Sequence, residues 1–216
     1  MYKAQLRGIF KLMGKIIKMG LTGGIASGKS EVGRILSAKG IPVIDMDKIG
    51  KVLLDSDLGL QKDILSAFGE EAKTHDQIDR NKLRALIFSS PEHRKKLEGI
   101  MHPRIRKEFE RRAEEEAAKG TKMIVCEAAL LIESGYRHSL DKLTVVIAPE
   151  DTRMARLLAR EPVSPELAKK MFQAQVTDQQ RLALADYVIE NKSDFEALAN
   201  QVEALLTKWK SEGLID

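Results

Sequence analysis

Residues 16–30 read Ile-Ile-Lys-Met-Gly-Leu-Thr-Gly-Gly-Ile-Ala-Ser-Gly-Lys-Ser. The apolar run over 16–21 predicts a strand, and it feeds directly into a glycine-rich turn. From Lys29 to about Ala38, Val32, Ile35 and Leu36 recur at spacings of three and four, which predicts a helix that stops at Gly40. A strand, a glycine turn and a helix in that order carry the pattern G-x-x-x-x-G-K-[ST] over Gly23, Gly24, Ile25, Ala26, Ser27, Gly28, Lys29 and Ser30. The residue types follow from the chemistry. Glycines let backbone N–H groups curl around a phosphate, and the helix points the positive end of its dipole at it. Lys29 reaches the β- and γ-phosphates of a nucleoside triphosphate, and the Ser30 hydroxyl is a ligand for Mg²⁺. The spacing of Gly20, Gly23, Gly24 and Gly28 does not give G-x-G-x-x-G, which disfavours a dinucleotide-binding dehydrogenase.

Beyond this stretch, short apolar strands are predicted at 42–45, 122–126, 143–147 and 187–189, with helices between them. The alternation predicts an α/β fold built on a parallel five-stranded sheet. Residues 46–119 are helical in pattern and strongly charged, with no good strand, and read as an insertion on that core. Within them Asp79 is an N-cap for 80–88, Ser90-Pro91-Glu92 opens a second helix, and Pro103 opens a third over 104–118. An arginine-rich helix with Arg153, Arg156 and Arg160 follows Pro149, and Ser164-Pro165 opens another. Thr177 to Gln180 and Ser193 to Glu196 read as capping boxes. The last helix carries Phe195, Leu198, Val202, Leu205, Leu206 and Trp209 as a core stripe.

The 216 residues carry 36 Lys+Arg against 32 Asp+Glu, a formal charge of +4, which suits an anionic small molecule and gives no argument for nucleic acid. A single cysteine excludes a disulfide framework and a cysteine-cluster zinc site, and fits a reducing cytoplasm. No stretch approaches the roughly 20 apolar residues of a membrane span. Residues 1–15 are basic and apolar, but Lys11 and Lys15 break any signal-peptide core; they read as an extension before a domain covering 16–216. His75, His93 and His138 have no metal-ligand spacing and read as surface residues, and Cys126 reads as buried.

A phosphate loop does not identify the acceptor. Asp45 and Asp47 lie where the second strand ends, the edge of a parallel sheet that faces the ligand crevice. One of them can take the proton of an attacking hydroxyl while the other caps the next helix; simple capping by both is the alternative. Asn191-Lys192-Ser193-Asp194 spells the base-recognition motif of a regulatory GTPase, although the capping box explains the same letters and no D-x-x-G follows a third strand.

The ordered set of motifs resembles the dephospho-coenzyme A kinase family. Leu21 to Ser30 is similar to its LTGGIGSGKS, and Asp45-Met46-Asp47 to its D-x-D after the second strand. His102-Pro103, the segment Leu130-Leu131-Ile132-Glu133, Arg156 and Arg160 of an R-x-x-x-R, and Gln175, Arg181, Ala185-Asp186 and Asn191 follow in family order over roughly residues 16–192. Departures are Ala26 for a glycine, Glu31 for a threonine, Ala129 for a proline, Glu127 for an aspartate and Arg153 for a glutamine. The resemblance implies a P-loop NTPase-type kinase with flanking helices, a helical substrate-binding insertion (46–119) and a helical lid (153–176). It implies ATP-dependent phosphorylation of the ribose 3′-hydroxyl of dephospho-coenzyme A. Residues 23–31, Glu31 included, then hold ATP, Lys29, Arg156 and Arg160 serve the transfer, and Asp47 is the base, with Asp45 supporting the helix start. Asp45, His102 and Glu133 are substrate-side candidates; His102 also suits a plain helix boundary. Glu127 keeps the charge of the aspartate it replaces and is a candidate for Mg²⁺ through water. The competing readings are another small nucleoside or nucleotide kinase and a P-loop GTPase or regulatory ATP-binding protein.

Overall fold

The computed structural model describes residues 16–75, 77–160 and 163–216, with Phe88 by its backbone alone; the extension 1–15 lies outside the described residues. In chain order the elements are β1 (Ile17–Gly23), α1 (Lys29–Ala38), β2 (Val43–Asp45), α2 (Met46–Ser56), α3 (Leu58–Phe68), β3 (Lys73–Thr74), β4 (Gln77–Ile78), α4 (Arg80–Ser89), α5 (Pro91–Ala118), β5 (Met123–Glu127), β6 (Lys142–Ile147), α6 (Glu150–Arg160), α7 (Pro165–Gln173), α8 (Asp178–Leu182), β7 (Tyr187–Glu190) and α9 (Phe195–Ser211). The chain divides into two compact units, one holding the described residues up to Asp45 together with Ala113–Asp216, the other Met46–Arg112.

The first unit is the five-stranded sheet that the strand alternation predicts. Its order is β2-β5-β1-β6-β7 and every pairing is parallel. β1 is central, with β5 on one side and β6 on the other, so the chain leaves β1 at the point where the connections diverge, which is where open α/β sheets bind ligands. Val32, Ile35 and Leu36 of α1 and Leu198, Val202, Leu205, Leu206 and Trp209 of α9 form one core cluster with Met19, Leu21, Val125 and Val146. Phe195 is an exception to the predicted stripe. It is 54% exposed, because α9 starts there and its first turn overhangs the core, and the Arg34 guanidinium lies 5.6 Å over its ring. The cap of α9 is Asp194, whose side chain accepts from the Ala197 N–H at 2.9 Å, rather than the expected Ser193. The Thr177 capping box forms as predicted.

In the second unit, Leu60, Ile64 and Phe68 recur every four residues on α3 and build a core with Ala72, Leu83 and Leu97. Asp57 and Asp79 cap α3 and α4, each contribution being about 1 kcal/mol. Two expectations fail here. The segment contains a small antiparallel pair, β3 with β4, whose two-residue strands are too short to show a period. Pro103 does not open a helix but lies inside α5, which runs unbroken from Pro91. An internal proline costs about 3 kcal/mol. The packing of Leu97, Ile100 and Met101 against the unit's core opposes that cost.

Candidate active site

Gly28 ends the turn after β1 in a left-handed conformation (φ 93°) that a side chain would strain, and it stands as the N-cap of α1 with no side-chain cap. The first backbone bonds into α1 are Glu31 N–H and Val32 N–H to the Gly28 carbonyl, so the Lys29 and Ser30 N–H groups have no acceptor within the helix. Caps from Asp57, Asp79, Ser164, Thr177 and Asp194 close α3, α4, α7, α8 and α9. A helix start of this kind, leaving a glycine turn without a side-chain cap, suits an anion. Ser27, buried in the same turn, has a hydroxyl with no partner among the described residues. Ala26, the departure from glycine, sits at φ 58°, where a Cβ is disfavoured by about 1 kcal/mol or more.

Beneath this turn, the last residue of β5 supplies a carboxylate. Glu127 is in register with Leu21 of β1 and with Asp45 of β2, and it is 4% exposed. Its Oε1 accepts from Lys29 Nζ at 2.6 Å and from Ser30 Oγ at 2.8 Å. A Cβ on Gly33 would come within 2.4 Å of Glu127 Oε2, so this glycine in the middle of α1 makes room for the carboxylate. Lys29, Ser30 and Glu127 form one charge-balanced cluster at the foot of the turn.

A second set of groups closes on the turn from later in the chain. Gln175 Oε1 accepts the Ile25 N–H at 2.8 Å. Arg181, 1% exposed, binds Asp178 at 2.8 Å and Glu133 at 3.6 Å. Arg153 is also buried; it pairs with Asp178 at 3.2 Å and lies 5.0 Å over the Phe172 ring. Both guanidinium groups approach Gly24, Arg153 Nη1 to within 2.0 Å of where its Cβ would be and Arg181 Nη1 to within 3.3 Å. Arg156 reaches Asn191, whose own amide binds the Ser27 carbonyl. Lys29 and three guanidinium groups are thus gathered around an uncapped helix start, an arrangement suited to phosphate charge.

The family model described as dephospho-CoA kinase matches residues 17–197. The chain belongs to the dephospho-CoA kinase family. It is 39% identical to a dephospho-CoA kinase of Fusobacterium nucleatum over 87% of this chain and 96% of that one, and 37% identical to one of Carboxydothermus hydrogenoformans over 89% and 94%. Among solved structures it resembles TT1252 from Thermus thermophilus (TM-score 0.77, 31% identity, covering 89% and 97%) and a dephospho-CoA kinase from Campylobacter jejuni (TM-score 0.65, 28% identity, covering 91% and 98%).

Within this dephospho-CoA kinase family chain, the candidates divide between the two units. Residues 23–31, Glu127, Glu133, Arg156 and Arg160 lie in the first, and Asp45 ends β2 there. Glu31, half-buried on α1, binds Arg34 at 2.6 Å, and that bond holds its carboxyl below the usual range. Arg156 is half-buried, whereas Arg160 is exposed at the last residue of α6. Asp47 and His102 lie in the second unit. Asp47 is in the first turn of α2 and borders a groove with Met46, Gly50, Lys51, Leu54, Met101 and Ile105. His102 is half-buried in α5 and pushed below its ordinary value by burial; because α5 continues past it, it is not at a helix boundary. His75 and His138 are exposed, His93 packs edge-on to Phe68, and Cys126 is buried. The Asn-Lys-x-Asp letters dissolve: Asn191 is under the phosphate loop and Asp194 is a helix cap. Gly33 and Arg153 were not singled out as site residues by sequence, and Gln175, Arg181 and Asn191 only as letters of a family motif.

Proposed function

We propose that this chain transfers the γ-phosphoryl group of ATP to the ribose 3′-hydroxyl of dephospho-coenzyme A, giving coenzyme A and ADP. The observation that carries the reading is the uncapped start of α1, with Lys29 and Ser30 gathered on the buried Glu127, in a chain of this family. Phosphoryl transfer passes through a loose anionic transition state, so positioning and positive charge do most of the work. The amides of residues 23–31 and Lys29 hold the ATP phosphates. The bond from the γ-phosphorus to the β-bridging oxygen breaks, a bond to the 3′-oxygen forms, and the hydroxyl proton passes to the Asp47 carboxylate. Arg156 and Arg160, in a lid over 153–176, neutralise charge on the group in flight. Arg156 suits this, because its Nη1 is buried without a partner among the described residues. Asp45 supports the start of α2, and the 46–119 segment, with His102, together with Glu133, serves the acceptor.

Ser30 Oγ and Glu127 are hard oxygen donors brought together at one point, which suits Mg²⁺. No group of three or more His, Cys, Asp or Glu among the described residues forms a metal cage, so phosphate oxygens and water would complete the shell, with Glu127 acting directly or through water. When bound, Mg²⁺ supplies charge neutralisation on the phosphates. No helix among the described residues is long and apolar enough to cross a membrane; the free, buried Cys126 fits the reducing cytoplasm we propose as the protein's location.

The test is ADP release from ATP with dephospho-coenzyme A, adenosine, AMP or no acceptor. Release that depends on dephospho-coenzyme A is expected. Equal release with AMP or adenosine would favour a nucleotide or nucleoside kinase, and release without acceptor a simple ATPase.

A further inference from the structure

The side-chain amide of Asn191 joins two parts of the site that are far apart in sequence. Asn191 follows β7 directly, and its backbone N–H donates to the Ile147 carbonyl at 2.8 Å, so the sheet fixes its place. It is 6% exposed. Its Nδ2 donates to the Ser27 carbonyl at 2.9 Å, and its Oδ1 accepts from Arg156 Nη2 at a long 3.4 Å. One contact requires a donor and the other an acceptor, so the two agree on which way the amide is turned. A Cβ at Gly28 would lie 2.0 Å from the same Nδ2, so the amide is pressed against the phosphate loop. Arg156 is held by one nitrogen while its Nη1 remains buried and unpartnered among the described residues.

We propose that Asn191 is a positioning residue that sets the curvature of the phosphate loop with its N–H and the direction of the Arg156 guanidinium with its oxygen. It touches no reacting atom. The inference rests on the phosphotransfer role proposed for Arg156, but its loop half concerns nucleotide binding alone. A backbone carbonyl held from below turns the neighbouring N–H groups toward the phosphates. A guanidinium held by one nitrogen keeps the other aimed and loses less freedom when it engages.

The experiment combines kinetics with titration of a non-hydrolysable ATP analogue. If Asn191 acts through Arg156, the two residues are coupled: Arg156→Ala should lower kcat by about tenfold less in an Asn191→Ala background than in the wild type. Asn191→Ser serves for the cycle if the alanine variant does not fold. Asn191→Asp keeps an oxygen for Arg156 but faces the Ser27 carbonyl with a second acceptor. It should weaken the analogue by about five- to tenfold and retain most of the Arg156→Ala cost in kcat. An Arg156→Ala cost that is the same in the wild type and in Asn191→Ala, or wild-type analogue binding by Asn191→Asp, overturns the proposal. If the wild-type protein gives no turnover with dephospho-coenzyme A, the functional reading fails, and the analogue titration alone decides the loop half.

Discussion

The two units use charge in opposite ways. In the sheet unit, the phosphate loop has buried ion pairs beside it: Lys29 with Glu127 at 11% and 6% side-chain exposure, and Arg181 at 2% on Asp178. In the 46–112 unit the pairs lie at the surface, such as Arg80 with Asp55 at 52% and 62%, and Arg111 with Glu108 at 53% and 22%. A buried charge that loses its partner is costly, whereas a surface pair contributes about 0–1 kcal/mol. Chemistry and stability should therefore be coupled around the loop and nearly independent across the helical surface of the other unit.

The sharpest way to break that contrast is Lys29→Met. It removes the cation proposed to hold the phosphates and leaves Glu127 buried without its charge partner. We expect kcat to fall by about 10²–10³-fold and stability by about 1–3 kcal/mol. The double variant Lys29→Met/Glu127→Gln should regain most of the thermal midpoint and none of the activity. Recovery of both would mean that the pair is only structural.

Next in size is Asp47→Asn, for which kcat should drop by about 10²-fold with ATP affinity near wild type. Asp45→Asn, run in parallel, should cost less activity and more stability; the reverse pattern would make Asp45 the base. Gly33→Ala sets two effects against each other. Alanine improves the helix by about 1 kcal/mol, but its methyl group displaces Glu127. A loss of about tenfold or more in kcat is expected despite the better helix former, and an active, stabilised variant would remove Glu127 from the site.

The smallest effect belongs to the other unit. The Arg111 hydrogen bond, with help from Arg112, lowers the Glu108 carboxyl to about 2. A depressed carboxylate stabilises the fold above its ordinary range, and that contribution is lost as pH falls toward 2. The site is near the surface, so Glu108→Gln should cost no more than about 1 kcal/mol at pH 7, nothing near pH 2, and no activity. Thermal midpoints across that range, with turnover at pH 7, check it. A fall in kcat would show that the surface of this unit is not separate from the chemistry.

The legible parts of the molecule were those with a local signal. Strands of four to seven residues such as β1, β6 and β7, the phosphate loop, and the caps at Asp79, Ser164 and Thr177 all announce themselves within a few residues. Pro103 misled because a local rule was outweighed by packing along α5, and β3 and β4 because two residues carry no pattern. The site's supporting groups were hidden for another reason. Asn191 and Ser27 are 164 residues apart, Gln175 and Ile25 are 150 apart, and nothing near either end indicates the pairing. Gly33 is visible only once Glu127 is seen beside it.

In the proposed reaction the acceptor atom is the ribose 3′-oxygen. It is tested most directly by giving the enzyme ATP with dephospho-coenzyme A or with its 3′-deoxy analogue, and following both ADP and the phosphorylated product by mass spectrometry. One ADP per coenzyme A formed is expected from the natural acceptor, and no phosphorylated product and only background ADP from the analogue. A phosphorylated 3′-deoxy analogue, formed at a rate comparable to coenzyme A, would contradict it.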